Sequence, residues 1–523
     1  MENFDTVIVG SGFGGSIMAC RLAQKGAKVL VLERGRRWDV KDYPREPDDA
    51  WFYDVDEPHR ENGWIDLRVF PDMTVAQGAA VGGGSLIYAN ISVEAPPEIF
   101  DSGWPPEITY DVLKPYYDEV GSMLDVQEIP DGQLTERFKL MRDGANALGH
   151  GGRFRKLPIA VTFDEDWNYD LDDPFSHKHS KEFTNRHGQK QGTCIHLGNC
   201  DIGCEVRAKN TLEMNYIPEA EKSGAEVREL HVVRKIAPYG NGYRIDYDRI
   251  QNERLISEHV TAERVVIAAG SLNSTELLLR CRDQFKTLRD VSPFLGHGWS
   301  SNGDFLTPAF YKDRRVSPTQ GPTISSAIDF LDGSDGGHRY WIEDGGFPDL
   351  LGNLKEETII RKKLKKFGPA LQELHENTRD RDPLQHTMPW FSQGIDAADG
   401  RMYLGRKWYW PWSRVLKLDW EIDKSELLYD AIVDMHKKLS HATDGRPWVP
   451  PTWTLLKNLV TPHPLGGCNM GTNRDNGVVD HKGAVFGYEN LYVIDGAIIP
   501  EAVGRNPTRT IGALAERAAG LIA

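Results

Sequence analysis

The stretch Asp5-Thr-Val-Ile-Val9-Gly10-Ser-Gly12-Phe-Gly14-Gly15 decides the fold of this chain. Its first half is a short apolar run rich in β-branched residues, which predicts a buried parallel strand. The glycines that follow match the pattern G-x-G-x-x-G, and the apolar stripe after them, ending at Gly26, predicts a helix. A second strand is expected over Lys28–Leu32, with Glu33 at its end.

This strand–loop–helix–strand unit predicts a dinucleotide site. The loop glycines allow a tight turn and a close approach of the main chain to a pyrophosphate, whose charge the helix N-terminus stabilises. Glu33 lies 18 residues after Gly15 and is placed to accept hydrogen bonds from ribose hydroxyls. An acidic residue there argues against a 2′-phosphate. The motif by itself fits FAD and NAD equally well.

Composition excludes several classes of protein. Of the 523 residues, 40% are hydrophobic and 27% are charged, which is an ordinary globular balance. The net charge of −15 argues against a nucleic-acid partner. No apolar run reaches the roughly 18 residues of a transmembrane helix, and the first apolar stretch leads straight into the glycine loop instead of forming a signal peptide. Six cysteines are too few for a disulfide scaffold, which favours a cytoplasmic location.

A second glycine cluster, Gly78-Ala-Ala-Val-Gly82-Gly83-Gly84-Ser85, lies between stretches of β-forming residues. Three consecutive glycines let a flat or charged ligand lie against the main chain, and the alternative is a flexible surface loop. Residues 36–70 show no periodicity and predict loops. Residues 119–189 predict helical stretches and polar connectors without identifiable chemistry.

The C-terminal half predicts two further strands, over Arg264–Ala269 and Asn490–Ile494, and two helices, over Asn273–Leu279 and Thr510–Ala523. Residues 301–460 are dense in aromatic side chains and predict a sheet that is mostly core and also the wall of a pocket for an apolar ligand. The aromatic residues in question are Trp390, Phe391, Trp408, Trp410, Trp412 and Trp420. Residues 356–374 predict a helix with one basic face, for which a solvated surface is favoured over a lid or a membrane contact.

Together these pieces resemble the glucose–methanol–choline (GMC) flavoproteins, and most of all the bacterial cholesterol oxidases among them. The matching blocks are Val7–Glu33, Gly78–Val93, Val265–Leu279 with Gly296–Gly303, and Pro462–Ala515. The last block is the most specific, because it contains His463-Pro-Leu-Gly-Gly-Cys468, Asp495-Gly496 and Val503-Gly-Arg-Asn506-Pro507.

The resemblance implies an α/β fold with FAD rather than NAD as cofactor. It implies a Rossmann-like FAD-binding domain assembled from residues 1–45, 70–118, 190–300 and 461–523. The substrate domain, built on an antiparallel sheet, would then comprise residues 119–189 and 301–460.

Alcohol oxidation needs a base within hydrogen-bond reach of the hydroxyl group, and histidine is the natural candidate. Of the 16 histidines, the resemblance assigns the family's catalytic role to His463, and it assigns the family's substrate-binding asparagine to Asn506. The alternatives are a packed loop histidine and a turn asparagine.

The resemblance also implies a set of cofactor-binding residues. These are Gly10, Gly12, Phe13, Gly14, Gly15, Glu33, Gly78, Gly82, Gly83, Gly84, Ser85, Asn90, Ala269, Gly270, Asp495, Gly496, Asn506 and Thr508.

The chain departs from the cholesterol oxidases in two places. The asparagine that follows their glycine triplet is absent here, and Tyr88 or Asn90 is the candidate replacement. The segment Glu343–Asp349 offers no convincing equivalent of the glutamate with which those enzymes isomerise a steroid double bond. We therefore expect oxidation to survive without isomerisation, on a substrate that need not be cholesterol.

Cys194-x5-Cys200-x3-Cys204 has a spacing similar to that of a GMC dehydrogenase subset that carries an iron–sulfur cluster. The favoured alternative is three small buried hydrophobic side chains and no metal.

The leading hypothesis is an FAD-dependent oxidase that converts a secondary, cyclic or sterol-like alcohol into a ketone and passes electrons to O2. The second is an alcohol or sugar dehydrogenase that uses a quinone, a cytochrome or an iron–sulfur acceptor. The third is a non-redox lyase of the same fold, and the fourth is a flavin-binding protein without turnover, against which His463 and Asn506 argue. The expected partners are a small-molecule alcohol and the electron acceptor.

Overall fold

The computed structural model describes residues 2–46, 48–348, 383–407, 410–449 and 459–522. The basic helix expected over residues 356–374 lies outside these ranges, as does Trp408. The helices of the described residues are α1 (Phe13–Gln24), α2 (Tyr110–Met123), α3 (Glu136–Ala147), α4 (Tyr216–Lys222), α5 (Ser271–Leu279), α6 (Glu426–Ala442) and α7 (Thr508–Leu521).

The strands fall into two large sheets and four small ones. In chain order they are β1 (Asn3–Val9), β2 (Val29–Leu32), β3 (Ile65–Val69), β4 (Met73–Gly78), β5 (Gln127–Glu128), β6 (Phe154–Lys156), β7 (Pro158–Ile159), β8 (Phe183–Thr184), β9 (Lys190–Gln191), β10 (Glu226–Arg228), β11 (His231–Tyr239), β12 (Gly242–Gln251), β13 (Arg254–Ile267), β14 (His297–Trp299), β15 (Phe305–Phe310), β16 (Ser326–Asp329), β17 (Tyr340–Asp344), β18 (Thr387–Gly394), β19 (Gly400–Lys407), β20 (Trp410–Asp419), β21 (Arg446–Pro447), β22 (Leu459–Thr461) and β23 (Leu491–Val493).

The first large sheet has seven strands in the order β10-β2-β1-β13-β12-β11, with β23 also paired to β13. Strand β1 lies between β2 and β13 in parallel, so that Val7 is opposite both Leu30 and Val265. These three side chains are fully or almost fully buried, as apolar β-branched and leucine runs in a parallel sheet require. Helices α1 and α7 pack together beside this sheet.

The predicted unit at the N-terminus is confirmed as β1, α1 and β2. The strand expected over residues 264–269 is the end of β13, whose longer first part forms an antiparallel pair with β12. Residues 36–70 are mostly loops, as expected, except that Ile65–Val69 forms β3 against β4. Strand β4 leads into the second glycine cluster, and its parallel neighbour β22 leads into the segment that contains His463.

The second large sheet is antiparallel, with six strands in the order β21-β15-β18-β17-β16-β6. Neighbouring residues of β18 point to opposite faces: Trp390 is fully buried and its indole nitrogen donates to Ser440 on α6, whereas Phe391 lines a cavity. The aromatic sheet is thus both core and pocket wall, as predicted. One hydrophobic cluster that contains Val265 and Trp390 runs through both large sheets and holds them together.

No helix of the described ranges is both long enough and apolar enough to span a membrane.

Candidate active site

Residues of both large sheets line a cavity of about 960 Å³. Its walls include Gly12 and Glu33 beside the first βα turn, Gly84 of the second glycine cluster, and His463 and Phe391 beside the antiparallel sheet. A volume of this order is at the upper end for a ligand site and suits a large cofactor that lies end to end with a substrate.

The first glycine loop is tightly packed at Gly14 and Gly15 and open at Gly12, which lines the cavity. A Cβ atom on Gly14 would lie 1.7 Å from the carbonyl oxygen of Ile494, and one on Gly15 would lie 2.0 Å from the carbonyl oxygen of Gly10. Gly12, by contrast, would meet nothing within 4 Å. No side chain caps the N-terminus of α1, and no acidic residue lies in its first turn. The helix therefore presents free N–H groups to an anion, as a pyrophosphate site requires.

Glu33 is fixed at the end of β2. Its Oε2 accepts hydrogen bonds from the backbone nitrogen of Ser11 at 2.9 Å and from the Ser11 hydroxyl at 2.8 Å, and its Oε1 accepts one from Gly35 at 3.0 Å. The side chain is only 6% exposed and yet lines the cavity. A rigid acceptor thus stands where the sequence predicted a ribose contact.

The second glycine cluster lies directly on the first. A Cβ atom on Gly83 would come within 2.8 Å of the Cα atom of Gly12, and the backbone nitrogen of Gly82 donates to the Ser11 hydroxyl at 3.0 Å. Both Gly82 and Gly83 have positive φ angles, of 93° and 52°. Glycine is needed here because the main chain is left-handed and two loops approach closely.

Asp495 links its own segment to the start of α5 at the carboxyl edge of the parallel strands. Its Oδ2 accepts from the backbone nitrogen of Gly270 at 2.8 Å and from the Ser274 hydroxyl at 2.6 Å, and its Oδ1 accepts from Ala497 at 2.8 Å. Parallel sheets bind their ligands at this edge, where β1, β13 and β23 end together.

Most of the predicted cofactor residues line the cavity. They are Gly10, Gly12, Phe13, Gly14, Glu33, Gly78, Gly83, Gly84, Ala269, Gly270, Asp495, Gly496, Asn506 and Thr508. Gly15, Gly82, Ser85 and Asn90 lie behind this lining. The Ser85 hydroxyl, for example, donates to the carbonyl oxygen of Gly82 and accepts from Leu212, and so braces the loop.

The two candidates for the missing asparagine differ in their surroundings. Tyr88 lines the cavity with its ring, while its hydroxyl donates to the carbonyl oxygen of Asn210 at 2.8 Å. Asn90 is fully buried with φ of 69°, and neither atom of its amide has a hydrogen-bond partner among the described residues. The choice between the two stays open.

His463 follows β22 and reaches the cavity with a side chain that is 17% exposed. Its Nδ1 lies 2.8 Å from Oδ1 of Asp304, which can only accept when ionised, so Nδ1 carries the proton. Its Nε2 lies 3.5 Å from Nδ2 of Asn506, and is left with a lone pair. The motifs around positions 463 and 506 therefore meet in space as the sequence predicted.

Asp304 is the partner that sequence reasoning missed. It precedes β15, is 1% exposed, and also accepts a hydrogen bond from the Thr461 hydroxyl at 2.5 Å. Burial alone would lower the pKa of His463, but the attraction and hydrogen bond of Asp304 outweigh burial and raise this pKa above its usual value. The signal was present in the sequence, since the matched block Gly296–Gly303 ends one residue before this carboxylate.

Comparison with known proteins agrees with this geometry. The family model described as "GMC oxidoreductase" matches residues 416–515, and that of an "NAD(P)-binding Rossmann-like domain" matches residues 8–47. Cholesterol oxidase from Acinetobacter baumannii is 30% identical to this chain over 99% of its length and 94% of that protein. The chain belongs to the GMC oxidoreductase family. Cholesterol oxidase from Mycobacterium tuberculosis is 28% identical over 99% of the chain and 91% of that protein.

Solved GMC structures share the fold. Pyridoxine 4-oxidase from Mesorbium loti superposes with a TM-score of 0.66 at 17% identity, covering 99% of each chain. Formate oxidase gives a TM-score of 0.66 at 14% identity, covering 100% of this chain and 98% of the other. This GMC protein is accordingly an FAD-dependent oxidoreductase that acts on CH–OH groups, and the free helix N-terminus, the rigid Glu33 and the open face of Gly12 fit that cofactor.

A second buried carboxylate lies near the His463 ring of this GMC enzyme. Glu343 on β17 is opposite Phe391 on β18, whose ring centroid is 6.2 Å from that of His463. Trp341 and Gln393 donate to its two oxygens at 2.8 and 3.0 Å. Burial raises the pKa of Glu343 to about 7. The sequence segment that offered no convincing glutamate thus places one close to the histidine.

The three clustered cysteines are free thiols. Cys194 and Cys200 are buried and Cys204 is partly buried. Sγ of Cys194 accepts a hydrogen bond from the backbone nitrogen of His196, and Sγ of Cys204 accepts one from Ala208. Within the described ranges no three His, Cys, Asp or Glu side chains are arranged to hold a metal ion, so the iron–sulfur alternative gains no support.

Proposed function

We propose that this GMC enzyme oxidises a secondary, ring-borne alcohol, cyclic or sterol-like, to a ketone and passes the electrons to O2. The observation that carries the proposal is the His463–Asn506 pair, whose facing nitrogens are 3.5 Å apart at the cavity wall. The cholesterol oxidases at 28–30% identity support the substrate class. Apolar residues of the cavity wall, among them Ile87, Ile324 and Phe391, suit a ring.

The catalytic step follows from the hydrogen bonds of the chain. FAD, when bound, would accept the hydride, and the two glycine loops, Glu33 and Asp495 would hold it. Nε2 of His463 accepts the hydroxyl proton, while the amide nitrogen of Asn506 donates to the substrate oxygen. Asp304 holds the ring with Nε2 towards the cavity and stabilises the imidazolium that forms.

The electron acceptor is the second part of the proposal. The same alcohol site would serve a dehydrogenase that reduces a quinone, a cytochrome or a cluster, and the experiment below separates these from an oxidase. None of the relatives named above supports the lyase alternative. We also propose a cytoplasmic location, because all six cysteines are free thiols.

We propose the domain division stated from the sequence as well. The strands of the seven-stranded sheet lie within residues 1–45, 190–300 and 461–523, and the strands of the six-stranded antiparallel sheet lie within 119–189 and 301–460.

The test is anaerobic stopped-flow reduction of the flavin by a panel of cyclic secondary alcohols, followed by admission of air. His463→Ala should keep FAD and the fold but lose about 10²–10⁴-fold in reduction rate. His441→Ala is the matched control, because that histidine is exposed near the end of α6. If the alcohols reduce the flavin and air does not reoxidise it, the enzyme is a dehydrogenase and not an oxidase. A His463→Ala enzyme at the wild-type rate would place the base elsewhere.

A further inference from the structure

A carboxylate that the mechanism does not use also lines the cavity. Asp201 lies in the short turn Cys200–Ile202, and next to it along the wall are Thr323 and Ile324 of the loop before β16. Asp201 is only partly buried, and it lines the cavity. It is therefore an accessible acceptor in a site whose other substrate-facing residues are largely apolar.

The Asp201 carboxylate has too few partners within the protein. Among the described residues its one side-chain hydrogen bond is that from the Thr323 hydroxyl to Oδ1, at a long 3.3 Å. Carboxylates taken out of bulk water are normally paired or multiply hydrogen-bonded, because an unpaired charge there is costly. The missing donor is thus expected from a ligand.

The two cations near Asp201 are committed elsewhere. Nζ of Lys209 donates to the backbone carbonyl oxygens of Leu86 at 2.9 Å and Cys200 at 2.7 Å. Arg137 is fully buried and donates to the backbone carbonyl oxygens of Thr323, Gln320 and Pro322, among others. Neither forms an ion pair with the carboxylate.

Arg137 holds the part of the cavity wall that carries Thr323 in place. Its bonds to three carbonyl groups of residues 320–323 fix the loop that carries Thr323, so the Asp201–Thr323 pair is held in place before a ligand arrives. Binding by preorganised polar groups costs little ordering entropy. Burial raises the pKa of Asp201 to about 6, against the opposing effect of Lys209, the Thr323 hydrogen bond and Arg137, so at pH 8 the group is ionised.

We infer that Asp201 selects the substrate: the cavity takes cyclic alcohols that carry, at a position other than the reacting carbon, a second hydrogen-bond donor, either a hydroxyl or an ammonium group. This inference rests on the proposed function. An alcohol that is otherwise apolar displaces water from the Asp201 carboxylate and offers no donor in its place, so it binds more weakly.

The experiment compares three ligands of similar size at pH 8: cyclohexanol, trans-1,4-cyclohexanediol and trans-4-aminocyclohexanol. The concentration dependence of anaerobic flavin reduction in the holoenzyme gives a dissociation constant and a limiting rate for each. We expect the diol to bind about 10-fold more tightly than cyclohexanol, and the amino alcohol about 10- to 100-fold more tightly.

Asp201→Asn keeps a carbonyl oxygen that accepts from Thr323, but it removes the charge and replaces the other carboxylate oxygen by an amide nitrogen, which donates and does not accept. This variant should lose most of the preference for the amino alcohol and part of that for the diol, because the amide nitrogen cannot accept from the ligand's second donor. Asp172→Asn is the matched control, because the Asp172 side chain is fully exposed on the surface. Thermal unfolding and FAD content of both variants separate misfolding from lost selectivity.

Equal affinity of the wild-type enzyme for all three ligands would overturn the inference even if the variant failed to fold. Loss of FAD from Asp201→Asn with unchanged ligand ranking would show instead that the carboxylate faces the cofactor. Absence of flavin reduction by any of the three would refute the proposed function itself, which is a different outcome from equal affinities.

Discussion

Asp304→Asn is the perturbation that most directly tests the base. In the wild type, Nδ1 of His463 lies 2.8 Å from Oδ1 of Asp304. With the two charges roughly 4 Å apart and an effective dielectric constant of about 20, the attraction is worth about 4 kcal/mol. This attraction favours the protonated ring and therefore raises the pKa of His463. Because the ring stays buried in the variant while this attraction is lost, we expect the pKa of His463 to fall.

The sign of the pH effect follows from the role of the neutral ring. Flavin reduction slows as the pH falls through the pKa of His463, because the protonated ring cannot accept the hydroxyl proton. A lower pKa in Asp304→Asn moves this acidic limb to lower pH. The plateau rate at high pH should also fall, by about 10²-fold or more, because the weaker base can adopt the wrong tautomer.

Stopped-flow flavin reduction by a cyclic alcohol, without oxygen and from pH 5 to 9, measures both quantities. A purely structural role of Asp304 would change FAD content or thermal stability and leave the limb in place. If the limb stays at the wild-type pH while the variant is folded and loaded with FAD, the Asp304–His463 pair does not set the protonation of the base.

The remaining predictions use the same assay together with FAD content and thermal unfolding. Gly14→Ala should destabilise the fold by on the order of 1–3 kcal/mol through overpacking, whereas Gly12→Ala, whose Cβ faces open space, should keep the fold and weaken FAD binding; equal unfolding temperatures would contradict this. Asn506→Ala should slow flavin reduction about 10²-fold without moving the pH limb, because it removes a neutral donor, and a shifted limb would count against that role. Glu343→Gln should move the acidic limb to lower pH by less than Asp304→Asn does, because Asp304 contacts the ring directly. Glu343 carries a charge that acts on His463 only above its own pKa of about 7. A shift as large as that of Asp304→Asn would contradict this difference in position.

The parts of the site that sequence predicted are those that one continuous motif encodes. The order of strand, glycine loop, helix, strand and Glu33 is local, so the periodicity and the glycine spacing place it to within two residues. His463 and Asn506 are 43 positions apart, and their meeting was predicted only because both lie in one block of the family pattern.

The rest depends on contacts that no local pattern encodes. Asp304 is 159 positions before His463, and the two meet because the turn before β15 lies beside the end of β22. Glu343 comes near the histidine through the register of β17 and β18, in which a slip of one residue would point it away. Asp201 reaches the cavity from a turn in the cysteine-rich segment. The spacing of the cysteines there suggests a metal site, and nothing in it indicates that the carboxylate between Cys200 and Cys204 faces the cavity.

The three carboxylates near the substrate end of the cavity have different electrostatic consequences. Asp304 is paired with a ring that becomes positive only during the reaction, and Glu343 is held by two neutral donors, whereas Asp201 has one long hydrogen bond from the described residues. With His463 neutral, the ionised carboxylates contribute a negative potential at this end, which the charges of Lys209 and Arg137 near Asp201 offset only in part because neither forms an ion pair with that carboxylate. Anionic substrates are therefore disfavoured in the state that is competent to accept a proton, and neutral or cationic alcohols are favoured. The same negative potential stabilises the imidazolium once the hydroxyl proton has moved, so the arrangement that restricts the substrate also supports the base.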